Sequence, residues 1–142
     1  MAVDALIMGL GRFGGGLAAA ESLLTEGRRV LVTDLAEEAA LQASVTKLRE
    51  TFGAQVSFRL GVHEQEDFAQ AGLVIANPAV PQPWHNPYLQ TAWESDATVT
   101  TEIARTLGQL SDRKTIAITG SAGKSTTTAM THAALVAADI PA

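Results

Sequence analysis

Three features of the sequence predict an α/β fold built on a parallel sheet. Short apolar runs of strand length recur along the chain, helical patterns fill the intervals between them, and glycine turns close two of the runs where a helix begins. Each element follows from its residues in order.

Residues 5–8, ALIM, form an apolar run ended by glycine, the pattern of a strand buried on both faces. Residues 13–26 set Leu17, Ala20, Leu23 and Leu24 at helical spacing and stop at Gly27, a C-cap signal. RVLVT at 29–33 predicts the second strand, with Asp34 at its C-terminal end. Residues 36–52 predict a helix closed by Gly53, and 56–60 a third strand. A short helix with an acidic start at 64–71 leads to GLVIA at 72–76, the most hydrophobic strand. The segment 77–87, NPAVPQPWHNP, holds four of the five prolines and predicts an ordered loop. A helix at 88–95, a short strand at 97–99 and a helix at 101–110 follow. A polar connection then leads to a strand at 115–119, a second glycine turn and a helix at 124–138. Strands alternating with helices imply right-handed crossovers between parallel strands.

Composition narrows the functional classes. The 142 residues are 46% hydrophobic and 18% charged, the balance of a soluble globular chain. A net charge of -5 without clustered Lys and Arg speaks against nucleic-acid binding. The absence of cysteine removes disulfides, thiolate metal sites and a Cys nucleophile. His63, His85 and His132 have no ligand spacing. The opening MAVDALIMGLGRFGG has an acid where a signal peptide carries positive charge, and no run approaches the length of a membrane span. The expected location is the cytoplasm, with no membrane partner.

Both glycine turns have the chemistry of phosphate grips. Gly9-Leu10-Gly11-Arg12-Phe13-Gly14 matches G-x-G-x-x-G between a strand and a helix. Glycines there allow a tight turn, close approach of a phosphate to the backbone, and close packing of helix on strand. The helix N-terminal amides then face the anion. Asp34 ends the next strand, where a carboxylate accepts hydrogen bonds from a ribose hydroxyl or a base. A glycine-rich packing turn would carry the same letters, and these residues leave open which nucleotide is held. An NAD-binding regulatory or redox module is therefore the principal rival reading.

The second turn is Gly120-Ser121-Ala122-Gly123-Lys124-Ser125-Thr126, with only two residues between its glycines where the common P-loop has four. Its mechanics are those of a P-loop. Backbone amides cradle phosphate oxygens, Lys124 reaches the β and γ phosphates, and the Ser125 hydroxyl ligates Mg²⁺. Thr126 contacts a phosphate or caps the helix. ATP and Mg²⁺ are thus the expected cofactors and Lys124 the catalytic candidate; a small P-loop kinase or ATPase is a third reading.

A dinucleotide-type turn followed about a hundred residues later by a shortened P-loop resembles the Mur ligases, the ATP-dependent amino-acid-adding enzymes of peptidoglycan precursor synthesis. The family loop G-T-x-G-K-[ST]-[ST] is matched with Ser121 for the first threonine. MGLGRFG, VTDL, LGVHEQEDFAQAGLVIANPAVP and TEIARTL are most similar to the D-glutamate-adding branch, with the alanine-adding branch second because it has a different glycine pattern and a histidine in its P-loop. The resemblance covers essentially the whole chain.

The resemblance implies a Rossmann-like domain over 1–100 that binds the UDP portion of UDP-MurNAc-L-alanine. Residues 101–142 would be a linker helix and the incomplete start of the central P-loop ATPase domain. It places Gly11, Arg12, Phe13 and Gly14 along the diphosphate, Thr33, Asp34 and Leu35 beside the uracil and ribose, and Asn77, Pro78 and Ala79 near the uracil. Phe13 stands where relatives often carry a hydroxyl, and Ala122 where they carry Asn or His. In the family reaction the alanine carboxylate attacks the γ-phosphate of ATP, and the D-glutamate amine displaces phosphate from the resulting acyl phosphate. Lys124 and Mg²⁺ stabilise the charge on the transferred group. The second-metal carboxylate, the adenine pocket and the amino-acid-binding domain of the family follow the P-loop region, so these 142 residues are expected to be catalytically incomplete.

Other residues have plainer readings. His63 is expected as a turn histidine bonded to backbone, with a ligand contact as the sharper alternative. Glu102 is expected to cap or orient its helix or to be solvated. Trp84 and Trp93 are expected to pack on the sheet, His132 to lie on a helix surface or in packing, and Glu64, Glu66 and Asp67 to favour a helix N-terminus.

Overall fold

The computed structural model describes residues 3–11, 14–110, 112 and 114–141. Met1–Gln109 and Leu110–Ala142 form two compact units. In the first, five strands pair in parallel in the order β3-β2-β1-β4-β5. They are β1 (Ala5–Met8), β2 (Val30–Asp34), β3 (Val56–Leu60), β4 (Leu73–Ala76) and β5 (Thr98–Thr100). The helices are α1 (Gly15–Thr25), α2 (Glu38–Phe52), α3 (Gln65–Gln70), α4 (Pro87–Glu94) and α5 (Glu102–Gln109).

The central strands β1, β2 and β4 are apolar at every position but Thr33 and Asp34, which end β2, because both faces of the sheet are covered. Side chains of a strand alternate between faces. Ile7, Val30, Val32 and Ile75 therefore join Leu23, Leu24, Val45 and Leu48 of α1 and α2 in one core. Leu6, Met8, Leu31, Val74 and Ala76 join Phe68, Leu89 and Ala92 of α3 and α4 in the other. Register places Ile7 beside Val32 on one side and Ile75 on the other.

One glycine sets how closely α1 lies against β1. A Cβ at Gly16 would stand 2.3 Å from the Gly9 carbonyl oxygen and 2.6 Å from that of Leu10, a contact no side chain tolerates. The close-packing role expected of the third glycine in the motif thus belongs to Gly16. Gly14, with φ +85° and open space where its Cβ would be, instead turns the chain into the helix.

The first two helices start later than the periodicity suggests. Gly14 is left-handed and so α1 begins at Gly15; Ala36 donates its amide to Asp34, so α2 begins only at Glu38. Two 3-10 turns, Gly53–Gln55 and Pro83–His85, escaped the sequence reading. α5 belongs to the first unit, where the Arg105 guanidinium donates to Glu26 at the end of α1. The two tryptophans do not pack on the sheet as expected: Trp84 and Trp93 are exposed, since Leu89 and Ala92 supply the buried face of α4.

In the second unit α6 (Lys124–Ala137) forms where the pattern predicts it. The strand expected at 115–119 does not. A strand exists only through ladder pairing with a neighbour, and the sheet ends its membership at β5.

Candidate functional site

The strand order reverses between β1 and β4, the switch point at which open α/β sheets bind ligands beyond the strand C-termini. A cavity of about 750 Å³ lies there, walled by the glycine turn after β1, the end of β2, the loop after β3, the proline-rich loop after β4, and α5. At its edge the N-terminus of α1 is capped by Gly14, with no side chain among the described residues bonding its amides. Such a helix start offers free N–H groups and the positive end of a dipole to an anion.

Asp34 lines the cavity and holds the turn. One carboxylate oxygen accepts the amides of Leu10 at 2.8 Å and Gly11 at 3.4 Å, and the other accepts that of Ala36 at 2.8 Å. Asn77 clamps the opposite side. Its Nδ2 donates to the Gly9 carbonyl at 3.3 Å, its Oδ1 accepts from the Ala79 amide at 2.9 Å, and its own amide donates to Met8. A Cβ at Gly11 would lie 2.7 Å from Asn77 Nδ2, so glycine is required for this contact as well as for φ +71°.

His63 is buried beside these groups, its ring edge-on to Phe68 and Tyr88 at 5.9 and 5.3 Å. Its Nδ1 lies 2.7 Å from Thr33 Oγ1, which also contacts the Val62 carbonyl at 3.1 Å. Burial pushes the imidazole below its ordinary value, and the nearby Asp34 charge opposes this in part.

The cavity brings together Gly11, Asp34, Leu35, Asn77, Pro78 and Ala79, six residues singled out from sequence. Arg12 and Phe13 lie outside the described residues. Gly14 shapes the turn without lining the cavity. Thr33 does not line the cavity; it is fully buried, with its hydroxyl committed to His63 and Val62. Gly15, Asn86, Tyr88 and Glu102 join the wall without having been assigned there. Asn86 had a legible signal, an N-cap asparagine before proline, and caps α4 through the amides of Tyr88 and Leu89. Glu102 had none for this position, because its nearness to Gly15 joins residues far apart in sequence. Its Oε2 is buried without a hydrogen-bond partner among the described residues.

The second glycine turn forms its own cradle in residues 120–126. Gly123 caps α6 in the left-handed region at φ 78°, no side chain among the described residues bonds the helix amides, and Lys124 Nζ donates back to the Gly120 carbonyl at 2.6 Å. Ser121, Ala122, Ser125 and Thr126 are exposed around it, and Thr126 does not serve as the cap. Free amides, a lysine and adjacent hydroxyls fit a bound polyphosphate and its metal ion. Among the described residues no cluster of His, Asp and Glu could hold a metal by itself, and no helix is long and apolar enough to cross a membrane.

Comparison with known proteins agrees with this geometry. The chain is 42% identical over 130 residues to the UDP-N-acetylmuramoylalanine--D-glutamate ligase of Geobacter metallireducens, covering 89% of this chain and 26% of that protein. It is 42% identical over 136 residues to the ligase of the same name from Treponema pallidum, covering 96% of this chain and 25% of that one. The chain thus spans about a quarter of the length of these curated relatives. Among solved structures, a pseudomurein peptide ligase type C from Methanothermus fervidus superposes with a TM-score of 0.55 at 21% identity, over 88% of this chain and 24% of that one, a likeness of fold. The family described as Mur ligase MurD-like, N-terminal domain, matches residues 3–101, and with that match over a sheet whose switch point carries the glycine turn, the chain belongs to the MurD-like N-terminal domain family of the Mur ligases.

Proposed function

We propose that these residues are the N-terminal part of an ATP-dependent ligase that adds D-glutamate to UDP-MurNAc-L-alanine in peptidoglycan precursor synthesis. Their own task is to bind the UDP end of that substrate. The observation that carries the reading is the switch-point cavity, which combines a helix N-terminus capped by a glycine with an apolar wall of Leu35, Pro78, Ala79, Val80 and Pro81. The first suits a diphosphate and the second the face of a flat base.

In the whole enzyme ATP supplies the phosphoryl group that activates the alanine carboxylate as an acyl phosphate for attack by the D-glutamate amine. Residues 120–126 would hold its phosphates, with Lys124 neutralising charge and Ser125 oriented for Mg²⁺. The proposed domains are 1–100 for the UDP end and 101–142 for the entry to the ATPase part. The proposed setting is the cytoplasm.

Calorimetry on this chain with UDP-MurNAc-L-alanine, UDP, NAD and Mg-ATP tests the assignment. Binding of both uridine ligands, no preference for NAD and weak or no response to Mg-ATP are expected. Tight NAD binding without a response to UDP would overturn it.

A further inference from the structure

The polar side chains around the cavity are unequally available. Asp34 and Asn77 are committed to the glycine turn, and Asn86 Oδ1 to the start of α4. His63 has one nitrogen occupied and one not. The occupied nitrogen determines what the other can do.

Thr33 has a single hydroxyl proton and two close partners. The Val62 carbonyl can only accept, so a hydrogen bond at that 3.1 Å contact requires the Thr33 proton. The 2.7 Å contact to Nδ1 is then a hydrogen bond only if the proton sits on the histidine and Thr33 Oγ1 accepts it. Both contacts are satisfied together by the Nδ1–H tautomer alone. Burial of the ring keeps it neutral at ordinary pH. Nε2 is left with a lone pair and no partner among the described residues, on a ring that lines the cavity and is held edge-on by Phe68 and Tyr88.

We infer that His63 is a specificity-determining residue whose Nε2 presents a fixed hydrogen-bond acceptor to an N–H or O–H donor on the nucleoside end of the ligand. The inference rests on the UDP reading above. Two groups of a uridine nucleotide supply such a donor, the imide N3–H of the base and the ribose hydroxyls. A nucleoside end that presents only acceptors to Nε2 would set two lone pairs against each other and be rejected.

The experiment has two arms. Nitrogen-15 NMR of the wild-type ring reads the tautomer without any ligand, and a proton on Nδ1 with Nε2 bare is expected. A proton on Nε2 overturns the inference. Calorimetry then compares UDP, N3-methyl-UDP, 2′-deoxy-UDP and 3′-deoxy-UDP on the wild type and on His63→Phe, which keeps a ring among Phe68 and Tyr88. The wild type should lose about tenfold in affinity for whichever analogue lacks the recognised donor, the scale of one partly buried hydrogen bond. His63→Phe should lose about as much for UDP and no longer distinguish that analogue from UDP. Equal UDP affinity in both proteins, or equal discrimination, overturns the role of His63 while leaving the UDP assignment standing. A wild type that binds no uridine nucleotide overturns the UDP assignment and this ligand role together, and the tautomer remains decided by the spectra.

Discussion

The Asp34 carboxylate accepts three amides, from Leu10, Gly11 and Ala36, and so joins the first glycine turn to the start of the next connection. An asparagine in its place keeps one acceptor and turns a donor toward an amide. Asp34→Asn should therefore cost about 1–3 kcal/mol in urea unfolding, the scale of a charged hydrogen-bond partner lost, and should weaken UDP binding through a looser turn. Unchanged stability would show that the amides find other acceptors. His63 ties stability to pH. Its imidazole titrates below the ordinary 6.5 in the folded chain because burial disfavours the cation, with Asp34 partly opposing. The unfolded chain then binds a proton that the folded chain refuses, so this contribution is present above pH 6.5 and is lost as pH falls toward the folded-state value. Urea midpoints measured across that range should fall on the acid side for the wild type by more than for His63→Phe. Parallel profiles would sink the expectation. The place of Asp34 was legible as the acid ending a strand; that its partners are amides was not, because the turn folds back across the strand end. His63 was harder still, since Thr33 meets it only after β2 and β3 have paired.

Helix α5 brings an anion to the start of α1. A Cβ built on Gly15 would lie 2.4 Å from Glu102 Oε1, so the carboxylate stands directly against the first residue of a helix whose amides no side chain among the described residues caps. Without a ligand it complements the helix dipole. With a diphosphate at the same helix end, two anions compete for one positive field. Glu102→Gln keeps the shape and removes the charge. It should lower the stability of the ligand-free chain by about 0.5 kcal/mol and raise UDP affinity several-fold at low salt, the gain shrinking as salt screens the pair. A fall in UDP affinity would mean that the carboxylate accepts a hydrogen bond from the ligand instead. At this scale the element types of the first unit could be read from apolar runs and helical periodicity, because each central strand is buried on both faces. The run at 115–119 shows the limit: its letters suit a strand, but strand formation depends on a partner, which local sequence does not encode.

The buried apolar residues of the described chain all lie between Ala5 and Ala97, and no described residue from Leu110 onward is buried. Burial of apolar surface is the main term favouring folding. The cooperative stability of the molecule should therefore reside in the first unit, to which α5 is tied by the Arg105–Glu26 ion pair. The cavity walls come from that unit as well. The P-loop letters announced an ATP site from sequence, yet the described residues around that turn are exposed, with no core beneath them. A chain ending at Gln109 should then unfold in urea with the same midpoint and the same slope as the full 142 residues, because the slope scales with the surface exposed on unfolding. It should also bind UDP with unchanged affinity. A lower midpoint with a smaller slope would show that residues 110–142 bury surface in the cooperative unit, and a selective loss of UDP binding would place part of the substrate site in the second unit.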